Sequence, residues 1–168
     1  MGLHPKDGEE LRSEVAGLLG ADGAHLAPAE ILAKFPAGMR GRKPRGSAHT
    51  AWELLEHLRI AQRDILEWSF DPQSVSPPWP EGYWPKTSAP PDAKAWGRSV
   101  RAFLADLRSL VRIARSREHD LLAPIPHAPG VTLLHELFLV ASHNSYHLGQ
   151  IASLGRWARA RAAARSLK

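Results

Sequence analysis

Between residues 71 and 91 the chain reads DPQSVSPPWPEGYWPKTSAPP, with seven prolines in twenty-one positions. Proline fixes φ and removes an amide donor, so neither a helix interior nor a central strand can occupy this stretch. Structureless connections of this length are uncommon in compact domains and usually serve as functional covers or long crossings. The stretch therefore splits the chain and imposes a long connection between what lies on either side.

Both sides read as helices. Upstream, residues from about Ala48 to Phe70 place Trp52, Leu55, Leu58, Gln62, Ile65, Leu66 and Ser69 at three- and four-residue steps, and Asp71-Pro72 stops the pattern. Downstream, Asp92 to about Glu118 carries the stripe Trp96, Val100, Phe103, Leu104, Leu107, Leu110, Val111 and Ala114. Further helices are predicted from about Gly8 to Leu19, briefly from Pro28 to Phe35, and from Thr132 to about Ala160, where Leu134, Leu137, Phe138, Ala141, Leu148, Ile151, Leu154 and Trp157 recur. A second Pro-rich loop, APIPHAPG, ends at Gly130, and few strand signals appear. The expected fold is all-α: a four-helix bundle whose second and third long helices are joined by a crossover long enough to let them run parallel. With 168 residues, one domain spanning 1–168 is expected.

Composition narrows the chemistry. The chain has no cysteine, which excludes disulfides, thiolate nucleophiles and any cysteine metal site. It has nine histidines, so a metal would be held by imidazole or carboxylate. The net charge of +5 is concentrated in Arg40, Arg42, Lys43 and Arg45 and in the C-terminal arginines. No recognition motif or aromatic-interleaved basic run accompanies it, so nucleic acid is not the expected partner. No run reaches the ~20 apolar residues of a membrane span. The start, MGLHPKDGEELRSE, has no apolar signal-peptide core, and a cytoplasmic location is expected.

His143 and His147 are four residues apart in ASHNSYHLGQI. Four residues advance a helix about 40° past one turn, so both rings project from one face and can reach one ion. His57 borders the apolar stripe of the second long helix and is the chosen third ligand. Three protein ligands with an open position is the pattern of catalytic metals. The alternative is an ordinary set of core or surface histidines.

HTAWELLEHL at 49–58 and SHNSYHLGQIASLGRW at 142–157 resemble the DinB-like superfamily, and more closely its uncharacterised bacterial branch. That pattern has one histidine in the second helix, then H-x-x-x-H and a Gly-Gln pair in the last helix. Here these are His57, His143, His147, Gly149 and Gln150. SVSPPWPEGYWP and the Thr132–Leu134 run also resemble this branch. The resemblance implies an up-down-down-up bundle, a divalent metal that is nickel or zinc, and a homodimer. Its characterised relatives, bacillithiol transferases and mycothiol-dependent isomerases, are metal-dependent enzymes that use small thiols. It therefore implies a thiol-dependent S-transferase or hydrolase acting on a small molecule. A non-catalytic metal- or ligand-binding bundle is the alternative.

Other residues have assigned expectations. Glu53, four before His57, and Gln150, three after His147, are candidate acceptors that would fix the ring tautomers. A solvated helix face for Glu53 and a helix–helix hydrogen bond for Gln150 are the alternatives. Asn144 and Tyr146 are pocket candidates. Trp79, Tyr83 and Trp84 either cover a cleft or pin the loop to the bundle. His135 departs from the family pattern and is expected on the surface or behind the ligands, and His49 near the helix start or bundle mouth. The basic segment 40–45 either attracts an anionic substrate or is a solvated loop.

Overall fold

Thr50 and Glu53 show how the local sequence starts a helix. The Thr50 hydroxyl accepts from the Glu53 amide at 3.2 Å, and the Glu53 carboxylate accepts from the Thr50 amide at 2.7 Å. This reciprocal box satisfies two of the donors a helix start leaves unpaired. In the computed structural model, which describes residues 5–20 and 25–166, it opens a helix at Ala51–Phe70. The helices are α1 (Pro5–Gly20), α2 (Pro28–Ala33), α3 (Ala51–Phe70), α4 (Ala95–Arg115) and α5 (Leu133–Ser166). Asp71-Pro72 ends α3, since the residue before proline is pushed out of helical conformation. The Thr132 hydroxyl accepts from the His135 amide and caps the start of α5.

The long helices close in a ring: α1 packs on α4, α4 on α3, α3 on α5 and α5 on α1, with α2 laid over α4 and α5. Their directions follow from paired residues. Glu56 meets Ser99, Gln62 meets the Phe103 carbonyl and Arg63 meets Asp106, so residue numbers rise together and α3 runs parallel to α4. Residues 57 and 62 of α3 meet 143 and 144 of α5, and Leu54 shares a cleft with Leu154, so α3 and α5 are antiparallel. Arg12 reaches the Ala114 carbonyl while Glu9 pairs with Arg117, which opposes α1 to α4. The parallel α3–α4 pair requires the chain to return the length of the bundle, which the proline-rich stretch does.

The core is the inner face of these helices. Leu32, Leu55, Leu58, Phe103, Leu137 and Ile151 are fully buried. Each such side chain contributes roughly 1.5–3 kcal/mol of hydrophobic stabilisation. Trp96 packs on Phe35 at 5.6 Å between ring centroids, and the Arg40 guanidinium lies over Trp96 at 4.8 Å. Arg40, grouped in the sequence with a basic loop, is thus turned into the bundle.

One expectation needs correction. The second Pro-rich loop contains a small antiparallel hairpin, β1 (Pro124–Ile125) and β2 (Ala128–Thr132). A two-residue strand has too few positions to display alternation, and the prolines hide the rest. Ile125 is buried, and the His127 ring meets Trp68 edge-on while its Nε2 lies 2.8 Å from the Trp68 carbonyl. The helices otherwise occupy the expected segments, with α4 starting three residues later than Asp92 and α5 running past Ala160.

Candidate metal centre

His57 sits mid-way along α3, and His143 and His147 sit one turn apart on α5, where the two helices pass each other. His57 is 4% exposed and His147 9%. One ligand nitrogen from each of the three lies within 4.8 Å of the others. Among the described residues this is the one group of three or more such side chains able to hold a metal ion, and no carboxylate joins it.

Two of the three rings have fixed tautomers. His57 Nδ1–H donates to the Tyr83 carbonyl at 3.0 Å. His147 Nδ1–H donates to Gln150 Oε1 at 2.8 Å. Each bond leaves the Nε2 lone pair available for a ligand. His143 Nε2 lies 3.0 Å from His57 Nε2. Ring nitrogens this close share either a proton or a cation. The donor set fits a divalent ion that prefers imidazole nitrogen.

Electrostatics keep the imidazoles neutral. Burial, with His147 and His57 adding to it, lowers the His143 pKa to about 4. Burial also lowers His57, against the hydrogen bond to Tyr83, and lowers His147, against the bond to Gln150. Neutral rings are the metal-binding form, so ligation near pH 7 displaces few protons from them.

The crossover stretch delivers the remaining parts. Trp84 lies flat on His57, with centroids 4.1 Å apart and planes 4° apart, and His49 stacks on Trp84 at 4.0 Å. The neighbouring Tyr83 hydroxyl donates to Asp64 at 2.5 Å. Tyr83 and Trp84 thus fasten the loop to α3, while Trp79 is largely exposed. Glu53 does not serve His57: its carboxylate closes the box at the start of α3, and the acceptor on His57 is a backbone carbonyl. Sequence reading missed that carbonyl because a main-chain oxygen has no side-chain signature.

A family model of the DinB superfamily matches residues 24–151, about three quarters of the chain and all three histidines. The chain belongs to the DinB superfamily. No curated protein and no solved structure matches it. Within this DinB-superfamily bundle the polar side chains beside the histidines have defined partners. Asn144 donates to Gln62 Oε1 at 2.8 Å, and Gln62 donates to the Phe103 carbonyl at 2.8 Å. Asn144 Oδ1 is buried without a partner. Tyr146 lies edge-on to His147 but is mostly exposed. Glu136, two turns before His143 on α5, is buried, and burial raises its pKa, opposed by His135 and reinforced by Asp64. His135 is exposed and takes no part in the cluster. No helix among the described residues is long and apolar enough to cross a membrane.

Proposed function

We propose that this protein is a metal-dependent enzyme of the thiol S-transferase or hydrolase type, in which His57, His143 and His147 hold nickel or zinc. The supporting observation is the pair of Nδ1 hydrogen bonds that leaves the Nε2 atoms of His57 and His147 available beside that of His143. A divalent ion there supplies Lewis acidity, which makes a water or a thiol nucleophilic near neutral pH. The chain has no cysteine, so any sulfur nucleophile comes from a separate low-molecular-weight thiol. The residues themselves orient and exclude. Tyr83 and Gln150 fix the ring orientations of His57 and His147, and Trp84 covers one face of His57 against water. Three protein ligands leave room for a small-molecule substrate. The protein so described works in the cytoplasm as a homodimer.

The test begins with metal analysis of purified protein beside a His143→Ala/His147→Ala double variant. We expect about one ion per chain in the first and background in the second. Equal content would refute the ligand assignment. The metal-loaded protein is then assayed with small thiols and electrophilic substrates, and with hydrolysable esters and amides. Metal-dependent turnover that the double variant lacks is the expected result. Full metal loading with no turnover across both panels would replace the enzyme with a metal-binding bundle.

A further inference from the structure

Behind His147, on the side of its Nδ1, lies a cleft of ≈ 440 Å³ between the start of α3 and the C-terminal half of α5. That is within the range of small-molecule sites, roughly 300–1,000 Å³. Leu54 and Leu154 give it an apolar lining, and Tyr146 and Trp157 present aromatic rings. Gln150, which holds His147, also lines it.

Two further observations say what it takes. The first is Gly149, a glycine inside a long helix, where it is destabilising relative to alanine. A Cβ built there meets nothing within 4 Å, so no packing requires its absence. Gly155, six residues further on and on another face of the helix, does have neighbours, the Arg159 guanidinium at 3.4 Å and the Phe35 ring at 3.6 Å. Gly149 instead opens onto the cleft. The second is charge. Pro44 and Ser47 of the lining belong to the loop that carries Arg42, Lys43 and Arg45. Arg156 donates to Ser153, another lining residue, at 2.9 Å. Among the described residues no carboxylate lines the cleft, and Arg42, Arg45 and Arg156 have no carboxylate partner.

We infer that this cleft binds an organic anion with a planar apolar body, of which an aromatic carboxylate is the simplest case. The rings and leucines take the body, Gly149 leaves room for it, and the guanidiniums carried by the segments that border the cleft meet the charge. The inference goes beyond the function proposed above by adding an anion-binding cleft on the side of His147 away from its Nε2, and it can fail separately, because it is read by binding and not by metal or turnover.

The test is calorimetric titration of the full chain with 2-naphthoate and with its neutral counterpart 2-naphthamide. Naphthoate should bind, at least tenfold more tightly than the amide, and its advantage should shrink with added salt. Gly149→Leu, which fills the open space, should cut naphthoate affinity at least tenfold while metal content stays at the wild-type level. His143→Ala, which removes a proposed metal ligand outside the cleft, should bind naphthoate as the wild type does. An Arg42→Gln/Arg45→Gln/Arg156→Gln variant should lower naphthoate affinity to that of the amide, and it decides the matter if Gly149→Leu does not fold. Absent binding, equal affinity for acid and amide, or undiminished naphthoate binding by the arginine variant overturns the inference.

Discussion

The α1–α4 and α3–α5 seams lie on opposite sides of one helical ring and are made of different material. Along α1 the buried residues among those described are Val15, Ala16 and Leu19, and polar contacts are at the rim, where Arg12 caps the end of α4 by donating to the Ser116 carbonyl at 2.6 Å and the His119 carbonyl at 2.5 Å. The α3–α5 seam instead buries His57, Gln62, Glu136, Asn144 and His147. Burying polar groups costs free energy unless each finds a partner. Most here do, but Asn144 Oδ1 does not. The lesson is a division of labour: an apolar seam supplies surplus stability, and a polar seam spends it on a site.

The sharpest way to break this contrast is a cavity in the apolar seam. Leu19→Ala should cost about 2–5 kcal/mol of stability by thermal or denaturant unfolding. Metal content of the folded fraction should not change. Loss of metal in that variant would show the two seams to be coupled. On the polar seam, Gln62→Ala strands the Asn144 amide and removes a bond to the Phe103 carbonyl, and should cost about 1–3 kcal/mol. A smaller effect on folding is expected from Gln150→Ala, because Gln150 is itself half-buried at the edge of the cleft. Its readout is metal affinity, reduced roughly 10–100-fold because His147 loses the acceptor that orients it. An unchanged affinity by competition titration would assign Gln150 to the cleft alone.

The effect with a sign to check is pH. All three histidines titrate below the ordinary histidine value, His143 at about 4. Between about 4 and the ordinary value near 6.5 the unfolded chain binds protons that the folded chain does not. Stability of the metal-free protein should therefore be fully present above the ordinary value and fall as pH drops toward 4. Glu136 contributes oppositely, since its raised value makes the folded chain hold a proton that the unfolded chain releases as pH rises. Melting curves across pH 4.5–7.5 should show the histidine trend flattened in His143→Ala. An equal slope in that variant would mean these rings do not control it.

Much of this was legible in residue order, for physical reasons. Long helices repeat their buried face every 3.6 residues, so α3, α4 and α5 announce themselves several times over. His143 and His147 share a face by the same arithmetic, and His57 stands on the stripe that must meet them. The hairpin at 124–132 is too short to show a period. Glu53 looked available to His57, yet the competing demand of unpaired amides at the start of α3 claimed its carboxylate. Trp84 could be placed on the loop but not on a ring, because stacking between His49 and His57 depends on how twenty-one residues settle against the bundle. The cleft beside Gly149 is a property of surfaces brought together from residues a hundred positions apart.

His57 is steadied by the carbonyl oxygen of residue 83, an atom that every amino acid carries. No side-chain replacement at position 83 can delete that acceptor, so a scan of point substitutions would pass over it. What the centre inherits from the crossover is a length of chain and the place where it touches down. Its lettering is free to drift wherever the backbone still arrives at the same spot. Inserting or removing one residue ahead of Tyr83 would disturb the ring more than most changes of its identity, and a designer transplanting this centre would have to carry the path of the loop along with the three histidines.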